Sequence, residues 1–303
     1  MTEEKTNISY NSIEDISEYI LNGSAKNIIC MTGAGISVSA GIPDFRTPGT
    51  GLYSKLEKFK LPEPEAVFSL DYFKKKPNPF YSLAKEIYPG NHMPTPTHYF
   101  MKMLADKGLL LRVYTQNIDG LESLAGIDKS LIVAAHGNFD SASCITTGEK
   151  VDTEEVKKAI FEGETGWKKM NKKYGGLVKP DIVFFGENLP QRYLDLYKTD
   201  FDKCDLLIIL GTSLKVLPFN MLINYTNKDI PRVLINRERV GLKGKELTYL
   251  IMQLEGLNFN EDTKDVSILG DCDDGIRKLA DSLGWLGELE KMIKKASEKW
   301  NKN

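Results

Sequence analysis

Cysteine is scarce in this chain: Cys30, Cys144, Cys204 and Cys272 are the only four in 303 residues, and no two form a C-x-x-C pair. That argues against a disulfide-stapled secreted scaffold and predicts reduced thiols in a cytoplasmic or nuclear protein. Histidine is scarcer still, with His92, His98 and His136, none at metal-ligand spacing from a cysteine. An excess of charge of one sign is also lacking. Forty Lys and Arg stand against 42 Asp and Glu, a formal net of -2, so there is no basic footprint for direct nucleic-acid binding. Long hydrophobic runs are missing too, 131–135 and 206–210 being typical, and the opening MTEEKTNISY is polar and acidic. The expectation is a protein with no membrane partner and no targeting segment. Its 25 Gly and 13 Pro follow no period, which excludes collagen-like and repeat architectures.

Hydrophobic residues make up 41% of the chain and charged ones 27%, a globular balance, and the length suits one large domain or two lobes. Short apolar, β-branched runs recur at 27–31, 109–114, 131–135, 181–185, 205–210, 232–235 and 266–269. Each has the length of a buried strand, and helix-period stretches lie between several of them, so the expected fold class is α/β with a parallel sheet. Two regions break the alternation. Residues 44–100 are rich in Pro and aromatics, and Thr95 or Thr97 could cap a helix after them. Residues 137–180 are polar and Lys/Gly-rich, with a helix expected at 153–161 and a turn at Gly175-Gly176. The organisation read from this is a Rossmann-like large domain (1–43, 101–136 and 181–303) and a small lobe built from two insertions (44–100 and 137–180).

The first strand run leads into Gly33-Ala34-Gly35-Ile36-Ser37, small residues whose backbone N–H groups can approach a phosphate. Val38 stands where a third glycine of the usual fingerprint would be, so taken alone the turn is equally a tight bend. The segments downstream are more specific. Gly41-Ile42-Pro43-Asp44-Phe45-Arg46 comes directly after the turn, then Thr115-Gln116-Asn117-Ile118-Asp119 and His136-Gly137. Val183-Phe184-Phe185-Gly186-Glu187, Gly211-Thr212-Ser213 and Ile235-Asn236-Arg237-Glu238 complete the series. In a parallel sheet the carboxyl ends of the strands share one edge, so these polar clusters should converge on one crevice.

In this order the motifs resemble the sirtuin family of NAD-dependent protein-lysine deacylases, over about residues 20–290, with a flavour of the eukaryotic cytosolic deacetylase branch. The resemblance implies NAD as a consumed co-substrate, with Gly33, Ala34, Gly35 and Ser37 at the pyrophosphate. Asp44, Phe45, Arg46 and Tyr53 would belong to the cofactor loop; Gln116, Asn117, Ile118 and Asp119 would face the nicotinamide ribose and carboxamide. Gly211, Thr212 and Ser213 would meet phosphate and ribose, Asn236, Arg237 and Glu238 the adenosine half, and Cys272 the adenine side through its backbone. His136, with Asn117, would be catalytic. In the family's reaction the acyl-lysine oxygen attacks the ribose carbon bearing nicotinamide, and His136 would act as general base on the ribose hydroxyls, as an imidazole with pKa near ~6.5 can at neutral pH. On its own this residue would read more readily as a core histidine bonded to backbone.

The partner implied is an acetyl- or acyl-lysine protein, bound as an extended peptide between Val183, Phe184, Phe185, Gly186, Glu187 on one side and Leu214 and Val216 on the other. One departure concerns zinc. The family carries two Cys pairs after the His-Gly. Here only Cys144 remains of the first, with Thr147 or Glu149 in the partner position, while Asn171 and Tyr174 replace the second. Three of four ligands are absent, so no metal is expected, and Tyr174, Trp167 and Phe161 are candidates for a substitute apolar core. Two other readings use the same pocket: an ADP-ribosyltransferase, which would leave label from NAD on an acceptor, and a non-catalytic NAD-binding scaffold, which would bind without releasing nicotinamide.

Overall fold

The computed structural model describes residues 10–42, 52–242, 255–260 and 263–301, the stretch 52–55 by its backbone alone. Six strands form one wholly parallel sheet: β1 (Ile28–Thr32), β2 (Leu110–Thr115), β3 (Ile132–Ala134), β7 (Leu206–Leu210), β8 (Arg232–Asn236) and β9 (Asp265–Leu269). Their order is β3-β2-β1-β7-β8-β9. The central pair β1 and β7 is buried at every position, as expected of strands covered on both faces. Ile28, Cys30, Leu206 and Ile208 point to one side, where helices Ile13–Leu21, Pro96–Asp106, Cys272–Ser282 and Leu286–Trp300 pack. Ile29, Met31, Leu207 and Ile209 point to the other, toward helix Gln191–Lys203 and the 3₁₀ turn Phe219–Asn224. Each fully buried Leu or Ile here contributes roughly 1.5–3 kcal/mol.

The remaining three strands make a separate antiparallel sheet, ordered β5-β4-β6, from β4 (Gly137–Cys144), β5 (Lys150–Val151) and β6 (Val178–Ile182). Helices Asn78–Glu86, Thr153–Glu162 and Glu164–Lys173 pack with it around a third core. This corrects the strand expected at 181–185. The strand ends at Ile182, belongs to the small sheet, and leaves Phe184 and Phe185 beyond it, with Phe185 joined only by a single bridge to Ser69. The expected limit between 100 and 101 falls inside helix Pro96–Asp106, whose Tyr99, Phe100, Met103 and Leu104 belong to the large core. Thr95 is that helix's N-cap.

Candidate active site

Every strand of the large sheet runs the same way, so the loops after β1, β2, β7 and β8 open on one edge. There they meet His136 and residues 182–187 in a cavity of about 1230 Å³. The contact between the loops after β1 and β7 sets its floor. Gly35 N–H donates to the Gly211 carbonyl at 2.8 Å, and Gly33 N–H to the Leu210 carbonyl at 3.0 Å. A Cβ on Gly35 would lie 2.7 Å from the Gly211 Cα, so the two loops touch only because both residues are glycine. Gly211 also has φ +58, outside the ordinary range of other residues.

Of the residues singled out in the sequence, Gly33, Ala34, Gly35, Gln116, Asn117, Ile118, His136, Gly211, Thr212 and Ser213 line this cavity. So do Asn236, Arg237, Glu238 and Cys272 at one end, and Val183, Phe184, Phe185, Gly186, Glu187 and Val216 at the other. Ser37, Asp119 and Leu214 do not; they are buried behind its wall. Asp44, Phe45 and Arg46 lie outside the described residues, as does the side chain of Tyr53. Sequence reasoning missed Val38, Ser39, Glu65, Phe68, Leu189, Leu217 and the acidic group Asp271, Asp273 and Asp274. The aspartates carried a signal: they flank Cys272 at the start of a helix, where acidic residues are common for reasons of the dipole alone.

A hydrogen-bonded chain connects the loops. The Gln116 side-chain amide donates to Thr212 Oγ1 at 2.8 Å, and Asn117 Nδ2 donates to Gly33 O at 3.2 Å and to Ser37 Oγ at 3.3 Å. Ser37 Oγ then donates to Asp119 Oδ2 at 2.7 Å. His136 Nδ1 is 3.0 Å from the Gln116 carbonyl oxygen. A carbonyl only accepts, so Nδ1 carries the proton and Nε2 is the basic nitrogen. Burial lowers the imidazole below its usual value, against the opposing pull of the Gln116 carbonyl, so the ring is neutral at pH 7. The residue after it is glycine for a plain reason: at φ +66, a Cβ on Gly137 would sit 1.9 Å from the Asp181 carbonyl oxygen across β4 and β6. Cys272 is buried, its Sγ 3.5 Å from Ile235 O, and burial pushes the thiol up to about 12, so it is not a nucleophile.

The far wall is held by a buried lysine. Lys179 Nζ donates to Ile182 O at 2.7 Å, pairs with Glu187 Oε2 at 3.0 Å and lies 4.5 Å from the centre of the Phe184 ring. Glu187 Oε2 in turn accepts from Phe184 N–H at 2.8 Å. Phe184 is buried among Phe68, Phe73 and Phe80, whereas Phe185 is 56% exposed. The backbone N–H and C=O of Phe185 are already paired with Phe68 O and Leu70 N.

The residues that replace the family's metal ligands in the small lobe are engaged mostly with other protein groups, although Asn171 Nδ2 is buried without a partner. Cys144 Sγ donates to Tyr174 O at 3.5 Å, Asn171 Oδ1 accepts from Tyr81 Oη and Val178 N–H, and Tyr174 Oη donates to Glu155 at 2.7 Å. A Cβ on Gly176 would lie 2.9 Å from Cys144 Sγ. One thiol among amide and phenol groups that bond to protein, with backbone packed against its sulfur, does not fit a tetrahedral zinc ion.

The comparisons with known proteins agree with this geometry. Residues 33–218 match the model of the Sir2 family. The chain is 50% identical over 288 residues to "NAD-dependent protein deacetylase sirtuin-2" of Danio rerio, covering 94% of this chain and 75% of that protein. It is 50% identical over 285 residues to "NAD-dependent deacetylase sir2A" of Dictyostelium discoideum, covering 93% of this chain and 54% of that protein. It is 45% identical to "NAD-dependent protein deacetylase sirtuin-3" of Mus musculus, covering 92% of this chain and 78% of that one. A shared pattern at this level of identity over nearly the whole chain leaves one assignment: this protein belongs to the Sir2 family, the sirtuins.

Proposed function

We propose that this chain is an NAD-dependent protein-lysine deacetylase that consumes NAD, releases nicotinamide and carries the acyl group to ADP-ribose. The observation that carries the reading is a neutral imidazole, His136, with its basic Nε2 in the same cavity as the Gly33-Ala34-Gly35 turn. Bound NAD supplies an electrophilic ribose carbon with nicotinamide as leaving group. The cavity suits it: its floor is glycine backbone that an added Cβ would obstruct, next to hydroxyl and amide groups of Ser213, Thr212 and Gln116. Gly33, Ala34 and Gly35 would hold the pyrophosphate, Asn236, Arg237, Glu238 and the backbone at Cys272 the adenosine half. Asp44, Phe45, Arg46 and Tyr53 keep their assignment to the cofactor loop. Asn117, fixed by Gly33 and Ser37, would hold the nicotinamide side, with Ser37 and Asp119 acting through it. His136 Nε2 would accept a proton from a ribose hydroxyl, and the Gln116 carbonyl would steady the imidazolium that results.

The acyl-lysine protein would enter as an extended peptide over residues 183–187, facing Val216, with Leu214 packed behind it. Because the Phe185 backbone is already paired, pairing would fall to its neighbours, Gly186 among them, and Phe185 would contribute its exposed ring. A neutral acylated side chain desolvates against Phe184 far more cheaply than an ammonium, so unmodified lysine is rejected. No zinc takes part, since the residues at that position do not suit it. The division into a large lobe around the parallel sheet and a small one of two insertions is kept, with helix Pro96–Asp106 joined to the large lobe and Val178–Ile182 to the small. Cysteines that are all unpaired suit a cytoplasmic or nuclear compartment, and no described helix is long and apolar enough to cross a membrane.

Mass spectrometry of an acetyl-lysine peptide incubated with the protein, with and without NAD, tests the reading. NAD-dependent loss of acetyl with formation of acetyl-ADP-ribose, abolished in His136→Ala, is expected. Label from NAD appearing on an acceptor protein would favour ADP-ribosyl transfer, and NAD binding without nicotinamide release would favour a scaffold.

A further inference from the structure

Behind the cavity wall lies a polar cluster of which the proposed deacetylation uses Asp119 alone. Helix Pro96–Asp106 turns His98 inward, the loop after β2 carries Asp119, and Glu122 sits three residues later on the short helix Leu121–Leu124. One nitrogen of the imidazole and one oxygen of each carboxyl lie within 4.8 Å of one another, and the three residues are 0%, 9% and 2% exposed. The charged neighbours that act on the two carboxyls are His92, on Asp119, and Asp119 itself, on Glu122. Among the described residues, no lysine or arginine is one of them.

The two carboxyls are bonded very differently. Asp119 Oδ2 accepts from Ser37 Oγ at 2.7 Å and Oδ1 from Leu121 N–H at 3.0 Å, both donors that favour an anion. Glu122 Oε1 has no hydrogen-bond partner, and neither have His98 Nε2 or Thr32 Oγ1, although all are buried. Thr115, whose Oγ1 accepts from the Asn117 backbone N–H at 3.0 Å, faces the Glu122 carboxyl as well, together with the Thr32 hydroxyl and the Glu122 backbone N–H. Two carboxylates this close, buried and without a cation, cannot both ionise. One keeps a proton, and Glu122, with one oxygen left unpartnered where both oxygens of Asp119 are bonded, keeps it.

We propose that Asp119 and Glu122 form a carboxyl pair holding one proton, carried by Glu122, and that the neutral Glu122 is a positioning residue for the Asp119–Ser37–Asn117 chain beneath the cofactor pocket. Burial first, and the Asp119 charge second, push the Glu122 carboxyl up to about 8, against the opposing pull of the Thr115 hydroxyl, its own backbone N–H and the Thr32 hydroxyl. His98 contributes no charge to the cluster, because burial takes its imidazole down to about 3 and keeps it neutral. Ionising Glu122 would set a second negative charge beside Asp119, pull it from Ser37 and release Asn117.

The kinetic part of the test rests on the deacetylase reading; the rest does not. One pH unit above 8 leaves roughly one Glu122 in ten protonated, so kcat/KM for NAD should fall about tenfold between pH 7 and pH 9. Glu122→Gln is neutral at every pH and should flatten that fall near the wild-type level at pH 7, whereas Glu122→Ala, which loses the positioning group altogether, should be flat but low at every pH. Stability gives an independent reading. A carboxyl raised in the folded state contributes stability in full below its ordinary value of 4.5, and this is lost as pH rises to about 8. The melting temperature of the wild type should therefore decline across that window, and Glu122→Gln should decline less. If Glu122→Gln does not fold, the wild type suffices: its infrared spectrum should lose a carboxylic-acid carbonyl band between pH 7 and pH 9. A wild type that shows no such loss overturns the proposal, as does a Glu122→Gln protein with the wild-type pH profile and melting slope. A protein without NAD-dependent turnover that still shows the infrared change would overturn the deacetylase reading and leave the shared proton standing.

Discussion

At the scale of single residues, the tightest constraint is steric. Gly35 makes no side-chain bond and needs no unusual φ, yet an added methyl would meet the Gly211 backbone at 2.7 Å. Backbone cannot yield as a flexible side chain can, so Gly35→Ala should force the loops after β1 and β7 apart. The expected cost is about 1–3 kcal/mol by denaturant titration, with a rise in KM for NAD and little change in KM for peptide. Equal rises in both would show that the contact serves the whole cavity rather than the cofactor half. Residues of this kind are legible in the sequence, because a Gly-x-Gly turn after an apolar run states its own requirement for backbone approach. Ser37, Asp119 and Leu214 belong to the same motifs but lie one layer deeper. Spacing along the chain gives the loop on which a residue sits and not its depth, which depends here on Ser37 turning inward to meet Asp119.

Among the elements, the parallel strands are the readable ones. Buried on both faces, β1 and β7 are plain apolar runs, and with the mostly apolar β2, β8 and β9 their expected limits fall within one residue of those observed. The small sheet is hidden because its strands carry polar residues bonded across it. Ser141, Ser143 and Lys150 all converge on Asp181, so β4 and β6 look like loop until their neighbours supply the missing partners. Lys179, buried against Phe184, hides β6 in the same way. The aromatic substitute for the metal module is legible only in part. Trp167 stacks on Tyr81 at 4.9 Å inside the lobe's core, while Phe161 is 40% exposed and touches Tyr88 by its edge. If apolar packing and the Asn171 and Cys144 bonds hold this lobe together, treatment with a strong chelator should leave the melting temperature unchanged. Trp167→Ala should cost about 3–5 kcal/mol. A chelator-induced loss of stability, with metal found in the dialysate, would mean that other residues bind an ion there.

Across the whole molecule, the cavity is a joint product of two sheets. The parallel sheet supplies the loops at Gly33, Gln116 and Gly211, and the antiparallel one supplies His136 on the way into β4 and the residues that come after β6. This division separates binding from chemistry, because the expected NAD contacts are spread over five loops of the large sheet whereas the base stands on the connection to the small one. A ligand at a hundred times its Kd stabilises the folded state by about 2.7 kcal/mol. For a chain of this length, with an unfolding entropy of ~2.1 cal/mol/K per residue, that is a rise of about 4 °C in melting temperature. NAD should produce this rise in the wild type and, undiminished, in His136→Ala, although the variant has lost turnover. Removing the imidazole changes neither the glycine floor nor the Gln116–Thr212 bond, so the binding energy has no reason to fall. Were the shift to vanish with the imidazole, His136 would be holding the cofactor rather than taking its proton, and the base would have to be sought elsewhere in the cavity.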